Sequence, residues 1–116
     1  MLKPLVWLGD SLRVVKAFPS AARVQLGDAL NALKQGERPI DTKSLKTIAS
    51  GVVEIRVRDD KSNQYRVIYI TKIAQTVHVL HAFQKKTGKT RKADLDIAAD
   101  RLKELRREQH GKIRRK

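Results

Sequence analysis

Residues 52–83, VVEIRVRDDKSNQYRVIYITKIAQTVHVLHAF, decide the fold of this chain. From Val52 to Arg58 apolar and polar residues alternate. Val53, Ile55 and Val57 fall on one face, and Glu54, Arg56 and Arg58 on the other, the period of a half-buried strand. Asp59 to Asn63 is a run of turn formers. Tyr65 to Thr71 is rich in β-branched and aromatic residues, Lys72 to Gln75 turns again, and Thr76 to Phe83 is the most apolar run. Three adjacent strands with short connections predict an antiparallel meander.

Working outward, Leu2 to Leu8 reads as a first, edge strand, because Pro4 is tolerated at a strand start or edge. Asp10 is placed to cap a short helix through its side chain, and Pro19 breaks that helix or opens the next. Ala22, Leu26, Ala29, Leu30 and Leu33 then form the stripe of an amphipathic helix that Gly36 stops. Glu37 to Gly51 reads as a polar connection. Beyond the meander, Lys85 to Lys92 is a basic loop. Leu95, Ala98, Leu102 and Leu105 mark a last helix starting near Ala93 or Asp94, and residues 108–116 form a basic tail. The element order is β-α-α-β-β-β-α, an α+β pattern in one domain spanning 1–116.

Charge sets the class of partner. The 116 residues carry 26 Lys and Arg against 12 Asp and Glu, a net charge of +14. A surplus this large in a small domain points to a polyanion, and nucleic acid or the ribosome fits better than an anionic membrane, since no basic amphipathic helix carries aromatic anchors. No apolar run approaches the roughly 18 residues of a membrane span, and no secretory leader is recognisable. The expected location is cytoplasmic. The chain has no cysteine, which removes disulfides, cysteine zinc ligands and a cysteine nucleophile.

The histidines are His78, His81 and His110. His78 and His81, three apart on a strand, are expected on opposite faces and so cannot share a metal. Glu54 stands alone in the sheet and is read as orienting Arg56 or a neighbouring lysine. No phosphate-binding glycine motif is present, and no cofactor is expected. The polar face of the meander is expected to be wet and positive. It gathers Arg56, Arg58, Tyr65, Arg66 and Tyr69, with His81 and Phe83 on the third strand and Lys85 and Lys86 at its end. Cleavage of RNA by its own 2′-hydroxyl needs such groups. Guanidinium and ammonium groups meet the charge growing on the phosphate, and an aromatic ring stacks on a splayed base. Phe83 and Tyr69 fit core positions as well as base-stacking ones, and His81 fits a satisfied sheet histidine as well as a general acid or base.

Gly51-Val-Val-Glu-Ile-Arg56, Tyr65-Arg-Val-Ile-Tyr69, Val79-Leu-His-Ala-Phe83-Gln-Lys-Lys-Thr87 and Ala98-Ala-Asp-Arg101 together resemble the phage-derived branch of the HigB-like toxins, in the RelE/ParE superfamily. The resemblance covers nearly the whole chain, and LHAFQKKTGKT is its most specific block. It implies a RelE-like fold and the toxin of a type II toxin–antitoxin system. The activity implied is ribosome-dependent, metal-independent endonucleolytic cleavage of mRNA that inhibits translation. Partners would be the ribosome, mRNA and a helix-turn-helix antitoxin, with operator DNA reached only through that antitoxin.

By position, the resemblance makes Arg56 and Arg66 phosphate-binding and Lys85 and Lys86 the basic pair after the last strand. Tyr65 and Tyr69 complete the catalytic candidates. Arg58, Lys43, Lys46, Phe83, His81 and Lys89 are the candidates for RNA or ribosome contact. One departure is Arg91, where this branch often has proline; it bears on the helix entry more than on the chemistry. Two alternatives stay open: a ParE-like gyrase poison, and a non-catalytic basic module for ribosomal RNA or DNA.

Overall fold

The computed structural model describes residues 2–86 and 91–114. The elements are β1 (Leu5–Trp7), α1 (Ser11–Lys16), α2 (Ser20–Lys34), β2 (Thr42–Ser44), β3 (Val52–Arg58), β4 (Gln64–Ile73), β5 (Thr76–Lys85) and α3 (Lys92–Arg114). They form an α+β fold around one five-stranded mixed sheet, in the order β1-β5-β4-β3-β2. The meander is antiparallel as expected. β1 joins it as a parallel edge strand against β5, where Pro4 loses nothing for want of an N–H and its carbonyl accepts from Val77 at 2.9 Å.

Local chemistry sets the element ends. Pro19, at φ −57°, stands at the start of α2. At the other end Gly36 takes φ +81°. Its N–H reaches Leu33 at 3.0 Å and the Glu37 N–H reaches Ala32 at 2.8 Å, the paired closure that a left-handed residue after a helix permits. Asp10 does not cap α1, contrary to the sequence expectation; no side-chain cap bond forms, because its carboxylate is drawn to Arg101, 2.9 Å away.

Three features depart from the sequence reading. Within the polar connection, Thr42–Ser44 forms β2 and pairs antiparallel with Val53–Ile55. β4 runs on to Ile73, and the hairpin turns through Ala74 and Gln75, both at φ +52°, the hand that fits the twist of a two-residue hairpin. Finally, the β4–β5 register passes from Ile68↔His81 to Tyr69↔Val79, leaving Leu80 as an extra residue. This bulge turns Leu80 and His81 to the same face of the sheet. His78, alternating with Val77 and Val79, faces that side too, so the two histidines are not on opposite faces as expected.

The sheet is covered on both sides. Against one face, α1 and α2 bring Val15, Phe18, Ala22, Leu26, Leu30 and Leu33 onto Ile55, Val57, Tyr65, Val67, Tyr69, Val77 and Val79. Against the other, α3 brings Ala98, Leu102 and Leu105 onto Val52, Ile68, Ile70, Leu80 and Phe83. The expectation of a wet polar face is therefore corrected. The apolar stripe of α3 needs a surface to bury, worth about 1.5–3 kcal/mol for each large side chain, and it takes the upper part of that face. Among the described residues, Arg58 is exposed and Gln64 and Lys85 are half-buried at the end of the sheet beyond Phe83.

Candidate functional site

The register lays out the α3 face in cross-strand rows. Val52, Ile70 and His78 form the first; Lys43, Glu54, Ile68 and His81 the next; then Arg56, Arg66 and Phe83; and at the open end Arg58, Gln64 and Lys85. Polarity rises from row to row, from apolar contacts beneath α3 to a cluster of cations at the rim. Arg56, Arg58, Gln64 and Arg66 line a cleft of about 140 Å³ together with Asp41.

Arg56 and Arg66 are direct cross-strand partners, an arrangement of like charges that destabilises a strand pair unless anions compensate. Two different carboxylates do so. Arg56 donates from Nε and Nη2 to Asp41 Oδ1 at 3.0 and 2.7 Å, on the exposed side. Arg66 is 5 % exposed and Glu54 1 %, with Arg66 Nε 3.6 Å from Glu54 Oε1. Arg66 also donates to Gln64 Oε1 and to the Tyr65 carbonyl. Burial, then the charge of Arg56, pulls the Arg66 guanidinium below its ordinary pKa, yet arginine stays protonated in proteins.

Glu54 holds a second guanidinium. Arg91, at the entry to α3, donates to Glu54 Oε2 and sits over the Phe83 ring, 5.6 Å from its centroid. Burial lowers the pKa of Arg91 as well. Among the described residues Glu54 is paired with Arg66 and Arg91, while Arg56 is paired with Asp41, and Arg91 does more than shape the helix entry. Sequence reasoning missed this role, and also that of Asp41. The signal for the first was a lone acidic residue in a strand, which needs a cation wherever it is buried.

Beside this cluster runs a second polar chain. His81 Nε2 lies 2.8 Å from Asp94, and the His81 ring stacks on Phe83 at 5.4 Å. Arg101 donates to the Leu80 carbonyl and to Asp10, and lies 3.4 Å from His81 Nδ1. The hydrogen bond from Arg101 holds the Asp10 carboxyl below its ordinary pKa.

The remaining candidates fall in different places. Tyr65 and Tyr69 lie on the opposite face, in the α1–α2 core, so they do not converge with the arginines. The strand period separates Tyr65 from Arg66 by one pleat. The Tyr65 hydroxyl donates to Asp59 at 2.9 Å; burial and then that carboxylate raise its pKa. Burial alone raises that of Tyr69, against a small opposing effect of Arg38. Phe83 and His81 share the arginine face but are buried. Lys85 ends β5 beside Gln64, and exposed Lys86 follows it. Lys43 and Lys46 are exposed near β2. Lys89 lies outside the described residues.

With this geometry in hand, the comparisons place the chain. The family described as Phage derived protein Gp49-like (DUF891) matches residues 13–115, and the chain belongs to it. It is, in general terms, a family of RelE/HigB-like toxins. No curated protein matches the sequence. Among the described residues, no helix is long and apolar enough to cross a membrane.

Proposed function

We propose that this member of the phage-derived Gp49-like family is the toxin of a type II toxin–antitoxin pair and acts as a ribosome-dependent mRNA endonuclease. The supporting observation is the direct opposition of Arg56 and Arg66 across adjacent strands, with Arg58 and Lys85 in the next row. Asp41 and Glu54 offset the repulsion between Arg56 and Arg66, and with Arg58 and Lys85 added the rim keeps a surplus of positive charge suited to an anion. In the proposed reaction the RNA 2′-hydroxyl attacks the adjacent phosphorus as its proton passes to water, the P–O5′ bond breaks, and the leaving 5′-oxygen takes a proton from water, giving a 2′,3′-cyclic phosphate and a 5′-hydroxyl end. Arg56 and Arg66 hold the phosphoryl oxygens as their charge grows. Lys85 sits at the edge of the same patch, in reach of a flanking phosphate. The ribosome supplies the placement of the mRNA, and Lys43, Lys46 and Arg58 supply phosphate contacts.

One observation favours a second reading, a non-catalytic module that binds ribosomal RNA. The candidate tyrosines and histidine are engaged or turned away: Tyr65 and Tyr69 face the other core, and His81 is held by Asp94. A brief pulse of expression followed by mapping of mRNA 5′ ends separates the readings. New ends within translated messages, lost in Arg66→Ala and Lys85→Ala, support the nuclease. Removing Arg66, a donor to the developing charge, costs about 2.7–4 kcal/mol of transition-state stabilisation, a loss of well over tenfold, and removing Lys85 weakens the contact to a flanking phosphate. Intact messages with DNA breaks would indicate a gyrase poison, and intact messages with RNA retardation the binding module. A cognate helix-turn-helix antitoxin is the proposed partner, tested by co-expression with the adjacent reading frame. It should copurify and restore growth.

A further inference from the structure

The two carboxylates that serve the opposed arginines differ in one respect that matters. Glu54 is buried and grips Arg66 and Arg91 from beneath the sheet surface. Asp41 approaches Arg56 from the open side, where the two side chains are 56 % and 41 % exposed. Arg56 Nε and Nη2 both donate to one oxygen of Asp41, so the carboxylate takes the edge of the guanidinium that a phosphate would use. Asp41 cannot drift away, because its own carbonyl accepts the Arg56 backbone N–H at 3.0 Å. A tethered group competes at high effective concentration. We infer that Asp41 is an internal competitor for the phosphate, occupying Arg56 until a phosphate that engages the neighbouring arginines displaces it.

This rests on the proposed reading of the cleft as a phosphate site and goes beyond it, by assigning the residue that sets how strongly an anion must bind. A small anion that touches only Arg56 gains no more than Asp41 already gives. A phosphodiester that also meets Arg58 and Arg66 gains further contacts and wins. The pair is exposed, so its strength is that of a surface ion pair, equivalent to about fivefold at most in affinity, and salt weakens it.

The test measures binding, not cleavage. Inorganic pyrophosphate and a short single-stranded RNA are titrated into the full chain, into Asp41→Asn and into Asp41→Ala. Calorimetry gives the affinity, and the Arg56 Nε–H resonance shows where the anion binds. Asp100→Asn, which removes an equal charge from the exposed surface of α3, is the control. Both Asp41 variants should bind each probe about two- to fivefold more tightly at low salt, with the Arg56 resonance moving earlier in the titration, and Asp100→Asn should not. The inference falls if neither variant tightens binding, if Asp100→Asn tightens it equally, or if pyrophosphate leaves the Arg56 resonance unmoved in every protein. Tightening by Asp41→Asn alongside uncut translated mRNA would sink the nuclease reading and leave this one standing.

Discussion

The two faces of the sheet are built from the same strands and solve different problems. The α1–α2 face is filled by aliphatic and aromatic side chains, including Tyr65 and Tyr69, and the Tyr65 hydroxyl reaches out to Asp59. The α3 face mixes Ile68, Ile70, Leu80 and Leu102 with Glu54, Arg66, Arg91, His81 and Arg101. Apolar packing is tolerant of where a helix sits along its axis. Ion pairs with fixed partners are not, and here they pin α3 at its entry, through Arg91, and three turns further on, through Arg101. One face supplies stability; the other fixes a position and leaves cations at its rim.

The strongest way to break this contrast is Glu54→Ala. It strands Arg66 and Arg91 without their carboxylate, and removing one member of a buried ion pair costs about 3–5 kcal/mol, read as a lower denaturant midpoint. The triple change Glu54→Leu, Arg66→Met, Arg91→Met sharpens the point, since apolar replacement of a whole buried ionic cluster is neutral or stabilising. Recovered stability would show that the ionic cluster adds little net stability, as expected if its role is to place charged groups and not to hold the fold. A triple variant as unstable as Glu54→Ala would refute the division of labour between the faces.

On the other face, Leu26→Ala leaves a cavity against β3–β5 and should cost about 2–5 kcal/mol, with little change in binding of a short RNA per folded molecule. Asp10→Asn should act more weakly and through pH. The folded-state pKa of Asp10 is depressed, so its contribution is present above the ordinary aspartate value and is lost as pH falls below about 4. The variant's stability should converge on that of the wild type in acid and differ near neutrality. An unchanged gap across that range would discount the Arg101 contact. Ile40→Ser, at a fully exposed position, should change stability by less than about 0.5 kcal/mol.

The meander and the stripes of α2 and α3 were legible because periodicity reports local burial. What was not legible depended on partners distant in sequence. β2 is three residues with Lys43 and Ser44 exposed, too short for a period to show. The parallel seat of β1 is decided by β5, some seventy positions away by the pairing of Leu5 with Val77. The arginine cluster on β3 and β4 was legible as a row of polar alternations. Its division into an exposed and a buried half was not, because alternation names a face but not what lies on it. A clue was present: Val67 to Ile70 and Val77 to Ala82 are nearly continuous apolar runs, the mark of strands buried on both sides. They required a cover for the second face, and α3 was the element left to provide it. The tyrosines were misplaced for a simpler reason: adjacency in sequence to Arg66 puts Tyr65 on the other side of the pleat.

The bond between Arg101 and Asp10 joins positions 91 residues apart, and it bears on time as well as on space. The β3–β4–β5 meander is made of neighbours and can assemble early, whereas contacts of long sequence separation form late. Arg91 and Arg101 follow the meander in sequence, so Glu54 gains its second guanidinium, Arg91, only after β3, β4 and β5 have been made. A chain made only as far as β5 thus carries Arg56, Arg66 and Glu54 before it carries Arg91 and the cover of α3. Variants at Asp10 and Arg101 should accordingly speed unfolding and leave the folding rate unchanged. In a molecule whose proposed target is the ribosome, a chain made only as far as β5 would lack the α3 cover that completes the arginine face.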